Sequence, residues 1–533
     1  MGLLADIRRY GRFSWGLRQF LRHTISLEEA RAISEKQLAE REINFLHLVR
    51  KGILGYPKSP YLALLKSAQC EMIDIEEMVK SRGLENTLRA MREAGIYITY
   101  EEFKGHKPII RDGKILSEGA RLFDNPYLHS YYEAKTGAST GIGTRVAVDL
   151  SHIRATAPFQ MLAYDPHGLL GIPTGIWRGI LPDVSGLHSI LNLYHFGQLP
   201  RKWFSPITRR DYRPSIRNWG ATHAAVLMGR VWGVPIPWPE PVALDNAKVI
   251  AQWASRTVEA NGACHMNSHV SLALRVALAA HREGLDLTGV TFSGGGEPPT
   301  PVKVREITRT GAKYIPNYFL AETGVVGFGC ANPLEINDLH LFKGGLALIQ
   351  YPRKVPAADI SVNAFYFTTL LPTAPKLMLN VESDDYGLLE TRSCGCPLER
   401  YGYTEHISRI RSYSKLTGEG VTLVGSEMLR ILEEVLPSRF GGSPLDYQLL
   451  EEEDEQGFTR LHLLVSPKIE ISDESEVIQV MLEALRRSSG AGDLARAIWN
   501  RAGTFQIKRR EPFWTDRGKL MPLHLNKHSA KDR

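Results

Sequence analysis

Val290-Thr-Phe-Ser-Gly-Gly-Gly-Glu-Pro-Pro-Thr300 decides the fold class of this chain. An apolar, β-favouring run leads into three glycines, the pattern of a buried strand ending in a turn where the main chain must approach something closely. Working backwards, residues 268–284 read as a helix ending in Arg282-Glu283-Gly284. Helix and short apolar strand alternate from 245 to 330, which predicts an α/β layer with a parallel sheet. Leu346-Ala-Leu-Ile349 and Lys376-Leu-Met-Leu379 add strands of a second, more antiparallel sheet.

Further out, residues 27–51 and 74–94 carry apolar side chains at three- and four-residue spacing and are predicted helices. Residues 200–245, rich in Pro, Trp and Arg, are expected to form irregular surface structure around short helices. Composition changes near 410. Beyond it come a glycine-broken turn (Thr417-Gly-Glu-Gly420), a helix over 426–435, a strand over 460–465 and a helix over 474–487. That succession describes a small α+β domain able to fold by itself. Ser488-Ser-Gly-Ala-Gly492 reads as a short joint, and the residues after His524 as a disordered end.

At 533 residues the chain is too long for one core. The division expected is a helical extension over 1–129, a main domain over 130–410 and a C-terminal domain over 411–533. A hydrophobic content of 43% and a charged content of 23% place it among ordinary soluble globular proteins. No apolar run reaches membrane-spanning length, and the N-terminus lacks a signal-peptide pattern. Five cysteines are too few for a disulfide framework, so a reducing cytoplasm is the expected location. The net charge of +7 is spread over a large chain and does not indicate nucleic-acid binding. Residues 3–22 mix arginines with Phe13, Trp15, Phe20 and Leu21, which suits weak peripheral contact with an anionic bilayer. The reading preferred is a basic helix packed on its own domain, because Gly11 and Gly16 weaken an isolated helix.

Two stretches carry chemistry. Thr136-Gly-Ala-Ser-Thr-Gly-Ile-Gly-Thr-Arg145 offers backbone N–H groups and hydroxyls to phosphate oxygens. It lies between Tyr131-Tyr-Glu-Ala-Lys135 and Val146-Ala-Val148, so a strand–turn–strand setting is expected, unlike the strand–loop–helix of a Walker loop. The second stretch joins the glycines at 294–296 to Tyr318-Phe-Leu-Ala-Glu-Thr323. Three glycines lie flat against a planar base, and Glu322 offers carboxylate oxygens to the Mg2+ that accompanies ATP.

From about residue 130 to the C-terminus these landmarks resemble the phenylacetate–CoA ligase branch of the acyl-adenylate-forming superfamily. Residues 136–144 are similar to that family's phosphate loop, and Tyr194-His-Phe-Gly197 resembles a segment lining its acyl pocket. Gly294–Thr300 and Tyr318–Glu322 resemble its adenine-binding motifs. Cys394-Gly-Cys-Pro397, Ser408-Arg-Ile-Arg-Ser412 and Gly420-Val-Thr-Leu-Val424 resemble its passage into a mobile lid.

The resemblance implies a fold and a reaction. The fold is α/β: a large, multi-subdomain N-terminal adenylate-forming domain with parallel sheets, and a small α+β C-terminal lid. A carboxylate attacks the α-phosphorus of ATP, and a thiol, most often that of CoA, then takes the acyl group. Implied nucleotide contacts are Thr136, Ser139, Thr140, Gly141, Thr144, Gly295, Gly296, Glu297 and Tyr318, with Glu322 on Mg2+. Asp384 or its neighbour Asp385 meets the ribose, Asp384 being slightly preferred. His195 and Phe196 line the acyl pocket. Arg411 precedes the hinge, and Lys519, in Thr515-Asp-Arg-Gly-Lys519, is the catalytic lysine of the lid.

The chain departs from the family's pattern in places. Ile142 stands where the phosphate-loop lysine is expected, leaving Arg145, Lys135 or N–H groups alone to hold charge. Ala138 replaces a loop glycine, Ala321 a Ser/Thr, and Tyr413-Ser414 the hinge Asp-Asp pair. Two other functions stay open: adenylation followed by transfer to an acyl carrier protein or an amine, and a nucleotide-binding scaffold without activity. Separately, Cys264, Cys330, Cys394 and Cys396, completed if needed by His265, His269 or His340, are a candidate structural zinc set. Reduced buried thiols are the alternative.

Overall fold

The computed structural model describes residues 13–525 except 106, 112, 118, 129–131, 136–144, 182, 207–215, 297–298, 355–360, 413–416, 419–420, 423–425, 454–458, 489–504, 515–519 and 521–522. The strand Val290–Gly295 is buried at every position, as an interior parallel strand covered by helices on both faces must be. It belongs to a twelve-stranded sheet. Six of those strands run parallel in the order 313–320, 290–295, 264–269, 174–177, 202–205 and 239–241. The other half, from Gly324–Gly329 through Leu339–Leu341, Glu405–Ser412, Val381–Thr391 and Ser361–Thr369 to Leu346–Lys354, is antiparallel.

Two separate sheets were expected, yet the tight hairpin between Lys313–Leu320 and Gly324–Gly329 fuses them. Glu322 sits in that hairpin. The Pro/Trp-rich stretch 200–245 also differs from its expected irregularity: it supplies the strands Lys202–Ser205 and Pro239–Pro241 and the helix Ile216–Val231. Residues 376–379 are an irregular crossing held by an isolated bridge between Asp124 and Lys376, and the strand begins at Val381.

The order of the parallel strands matters for function. From 174–177 the chain adds 202–205 and 239–241 on one side, then returns to add 264–269, 290–295 and 313–320 on the other. The strand order therefore reverses between Thr174–Trp177 and Cys264–His269, the position at which open α/β sheets form a ligand crevice outside the carboxyl ends of their strands.

The helices Leu27–Ala39, Arg41–His47, Met72–Arg82 and Leu84–Glu93 fill the two N-terminal helical windows. Glu40 and Gly83, the latter at φ 76°, break each window in two. Phe45, Ile53, Leu88 and Ile98 share one core with Leu348, Phe365, Phe367 and Val381 of the antiparallel half. Residues 13–20 are helical, and Phe13, Leu17 and Phe20 are buried against Ile153, Ala157 and Leu191, as the packed-helix reading predicts. Its apolar face is thus engaged with the protein, although Trp15 is exposed. Among the described residues no helix is long and apolar enough to cross a membrane.

The C-terminal part has its own four-stranded sheet, ordered 505–509, 459–465, 447–453 and 523–525. Its core, around Met428, Leu432, Tyr447, Leu463 and Met481, is separate from those of the large sheet. Helices Ser426–Arg430 and Glu474–Ser488 match the sequence expectation, the first continuing through a wider turn to Val435.

Candidate functional site

Every parallel strand delivers its last residues to the same edge. Trp177 ends one, and Arg178 immediately beyond it reaches across to the end of the neighbouring strand Cys264–His269. Its guanidinium donates to Asn267 Oδ1 (2.8 Å) and to the Ser268 carbonyl (3.0 Å), and lies 3.2 Å from His269 Nδ1. His269 Nδ1 is in turn 3.2 Å from the Gly295 carbonyl. Behind them His265 Nε2 meets Ser293 Oγ at 2.7 Å. A network of this kind fixes the crevice floor, since each buried polar atom is costly to leave without a partner.

The glycines occupy the next strand end. Gly294 is paired in register with Pro316. A Cβ on Gly295 would meet the Asn317 carbonyl oxygen at 2.1 Å and Asn317 Oδ1 at 2.3 Å, so only glycine lets these chains run so close. Gly296 has φ 83° and turns the chain out of the sheet. Glu297 lies outside the described residues.

One strand further on, Tyr318 donates its hydroxyl to Asp385 Oδ2 at 2.6 Å. Burial first, then the Asp385 charge, raise the Tyr318 hydroxyl well above its ordinary value. Asp385 is thereby the member of the Asp384–Asp385 pair joined to Tyr318. Across the antiparallel pairing Asp385 stands opposite Ser412, and Tyr386 opposite Arg411. Arg411 therefore lies diagonally across the strand pair from Asp385.

Glu322 is 6% exposed. Lys104 Nζ reaches its Oε1 at 2.7 Å. Burial pushes the Glu322 carboxyl up, but Lys104, by charge and hydrogen bond, with a further contribution from Lys376, more than offsets this and holds it below the ordinary glutamate value. That favours the ionised carboxylate. Sequence reasoning missed Lys104, which lies 218 residues away from its partner. The sole local signal is a short capped helix, Tyr100–Phe103, immediately before it.

The phosphate-loop candidates Thr136, Ser139, Thr140, Gly141 and Thr144 lie outside the described residues. Their flanks do not. Tyr132–Lys135 and Arg145–Val148 pair antiparallel with Lys135 opposite Arg145, the strand–turn–strand setting expected. The helix Leu150–Tyr164 follows at once, capped by Asp149, which accepts from Ser151 N. Within its first turn His152 donates Nε2–H to the Thr323 carbonyl (2.9 Å). The helix that follows the strand Arg145–Val148 is thus tied to the residue next to Glu322. Burial lowers His152 to about 4, so it is a neutral strut at pH 7.

His195 and Phe196, expected to line an acyl pocket, are both buried. His195 Nδ1 lies 3.0 Å from the His23 carbonyl and its ring is 5.3 Å from Phe20, so it faces the N-terminal helix. Phe196 packs edge-on to Tyr164 in the same core. Two turns earlier on that helix, His188 faces Phe319 at 5.3 Å, with a buried Nε2 that has no hydrogen-bond partner. It is the residue of this helix placed beside the Tyr318 strand.

Lys519 lies outside the described residues, but its surroundings partly do not. Trp514 stacks under Arg275 at 3.5 Å and Leu520 joins the core around Phe292 and Leu274. The C-terminal part also meets the large domain at Glu433, whose carboxylate accepts from Thr300 Oγ1 and pairs with Lys303 Nζ at 3.1 Å. Thr300 is the N-cap of the helix that follows the glycines.

No protein-family model matches the chain, and no curated protein matches it. Solved structures do. An anthranilate CoA ligase, AuaEII, in complex with anthranoyl-AMP aligns at 11% identity and a TM-score of 0.43, over 73% of this chain and 65% of its own. McyG A-PCP complexed with phenylalanyl-adenylate aligns at 10% identity and a TM-score of 0.42, over 84% and 63%. The chain thus spans slightly less than two thirds of the length of either. The amide bond synthetase McbA from Marinactinospora thermotolerans aligns at 11% identity and a TM-score of 0.40, over 95% and 98%.

The cysteines separate into two groups. Cys264 is buried among Ile250, Met266 and Val290 in the helix–sheet core, and burial raises its thiol to about 12. Cys330 and Cys396 are buried elsewhere, beside Phe328 and Leu398, with Cys394 packed against the same core. The expected four-cysteine set is therefore not assembled, because Cys264 starts a parallel strand and the others cluster around the antiparallel half. His265 and His269 belong to the crevice floor.

Proposed function

We propose that this chain activates a carboxylic acid with ATP, forming an acyl-adenylate and pyrophosphate, and passes the acyl group to a thiol, with CoA as the leading acceptor. One observation carries the reading. Arg178 and His269 flank the strand-order reversal, the glycines 295–296, Tyr318 and Glu322 follow along the same carboxyl edge of the parallel strands, and Asp385 and Lys104 reach Tyr318 and Glu322 there. Open α/β sheets bind ligands at such edges.

In this reading Glu322 offers an ionised oxygen to Mg2+, which when bound lowers the charge repulsion at the ATP phosphates. Gly295 and Gly296 let the main chain lie against adenine, and Asp384 takes the ribose hydroxyls while Asp385 fixes Tyr318. Thr136, Ser139, Thr140, Gly141 and Thr144 hold the β- and γ-phosphates. An oxygen of the substrate carboxylate attacks the α-phosphorus; the new O–P bond forms as the bond to the β-phosphate oxygen breaks, and pyrophosphate leaves. A thiolate then attacks the acyl carbon and AMP departs. Lys519, Arg411 and the domain over 411–533 serve as the catalytic charge, the hinge and the lid, with Glu433 docking the lid beside the glycines. Excluding water protects a hydrolysable intermediate.

The test is carboxylate-dependent ATP–pyrophosphate exchange over a panel of aryl, medium-chain and long-chain acids, followed by product analysis with CoA, a loaded carrier protein and an amine. Exchange with at least one acid, abolished by Glu322→Gln, is expected. Absence of exchange with every acid, while the chain still binds ATP, would point to the scaffold instead. Thioester formation with CoA rather than with a carrier protein or amine checks the acceptor.

A further inference from the structure

Four side chains, two from strands and two from the segments beside strands, converge in the antiparallel half of the sheet. Cys330 follows the strand Gly324–Gly329, His340 lies in Leu339–Leu341, His406 in Glu405–Ser412, and Cys394 in the loop before that strand. One donor atom from each lies within 4.8 Å of all the others. His340 and His406 are register partners with rings 4.2 Å apart, and both are fully buried.

The surrounding contacts prepare these atoms for a ligand. His340 donates Nδ1–H to the Tyr403 carbonyl at 2.8 Å, which leaves the Nε2 lone pair facing Cys394 Sγ, 3.8 Å away. His406 Nδ1 is held by Asp338 Oδ1 at 2.7 Å. Its Nε2 is buried and without a hydrogen-bond partner, a costly arrangement unless something else occupies that lone pair. Each sulfur accepts a backbone N–H at 3.3 Å, Cys330 from Asn332 and Cys394 from Cys396, which fixes its position. Carboxylate or carbonyl partners on the far nitrogen of both histidines are the outer-shell pattern that orients imidazole toward a metal.

We propose that Cys330, His340, Cys394 and His406 bind a structural zinc ion. Two thiols and two imidazoles suit a closed tetrahedral site for a borderline-soft divalent ion, and oxygen-preferring Mg2+ or Ca2+ find no ligand of their kind there. On binding, each thiol gives its proton to solvent and forms an S–Zn bond. Two thiolates then balance the charge of the ion, so the buried centre is neutral. The ion staples the strands at 324–329, 339–341 and 405–412, and so braces the sheet that carries Asp385 and Arg411. Cys396 donates its N–H to Cys394 Sγ, and its own thiol lies against Cys330 and His340, which makes it the neighbour whose replacement tests this ligand set. This inference is independent of the ligase reading, and its readouts need no activity.

The test measures metal on the full chain, grown with zinc and purified without chelator. About one zinc per chain by elemental analysis is expected. That zinc should fall to background in Cys394→Ser and in His406→Gln, and persist in Cys264→Ser. Cobalt substitution of the unmutated chain should give intense tetrahedral d–d bands with a thiolate charge-transfer band, a readout that does not depend on how the variants fold. Stripping the zinc should lower the melting temperature, and restoring it should reverse the drop. A metal-free chain, a disulfide joining Cys330 to Cys394 or Cys396 in fresh protein, or an octahedral cobalt spectrum would overturn the proposal. Zinc lost in Cys396→Ser but kept in His406→Gln would overturn this ligand set.

Discussion

Lys104 and Glu322 form an ion pair of 2.7 Å in which the carboxylate side chain is 8% exposed and the ammonium 22%. The lysine comes from the N-terminal helical part and the glutamate from the hairpin where parallel and antiparallel sheet meet. In the proposed enzyme this makes Lys104 a competitor of Mg2+ for one carboxylate. Lys104→Met is therefore expected to lower the Mg2+ concentration giving half-maximal pyrophosphate exchange. It should also cost about 3–5 kcal/mol of stability in urea unfolding, because the partner charge is left buried. An unchanged Mg2+ requirement would remove Glu322 from the metal's ligands.

Glu433 and Lys303 are a second buried pair, their side chains 6% and 3% exposed, and they join the C-terminal part to the helix that follows the glycines. Glu433→Ala should destabilise by about 3–5 kcal/mol, whereas Glu433→Leu combined with Lys303→Met should recover most of the loss. A double-mutant cycle in urea measures the coupling. Additive effects would mean that the two side chains do not work as a pair.

Gly295 has no room for a methyl group against Asn317. Gly295→Ala should push the strands Val290–Gly295 and Lys313–Leu320 apart at their carboxyl ends, at a cost of about 1–3 kcal/mol. In the proposed enzyme it should raise the KM for ATP more than that for the acid. Thermal unfolding and steady-state kinetics report the two effects separately.

Acid sensitivity follows from three buried imidazoles. Burial lowers His152 to about 4 and His265 to about 3; it also lowers His188 to about 4, helped by His152 and Arg178. Each folded-state value lies below the unfolded value of about 6.5, so the unfolded chain takes up the proton first. Stability is complete above pH 6.5 and falls as the pH drops towards about 4, by on the order of 3 kcal/mol per imidazole. Fluorescence of the buried Trp177 and Trp203 during pH titration should show unfolding in that window. Replacing His265, which bridges Thr174 and Ser293, by Gln should shift the midpoint to lower pH.

Much of the crevice was legible in one dimension because its parts are local. The apolar run before the glycines demands an interior strand, and the glycines themselves answer a backbone contact within two residues of the turn. The helices at 270–282 and 474–488 announce themselves by apolar spacing. The stretch 200–245 hid its strands because each is four residues or fewer, too short to show alternation, and the edge strand Pro239–Pro241 is mostly proline. The four-cysteine zinc set failed for a related reason: sequence distance says nothing about which side of a sheet a strand joins.

The chain's own order of residues determined that a parallel sheet would end in glycine-rich turns, that Glu322 would follow one of those strands, and that a separate α+β unit would close the C-terminus. Tertiary structure alone decided that Lys104 pairs with Glu322, that Asp385 holds Tyr318, and that His340 and His406 stand beside Cys330 and Cys394 while Cys264 lies in another core. Periodicity and turn chemistry act over a few residues, so the sequence displays them. Pairing of buried charges and lone pairs is settled by which strands the folded sheet places side by side, and that order is set by packing across the whole chain.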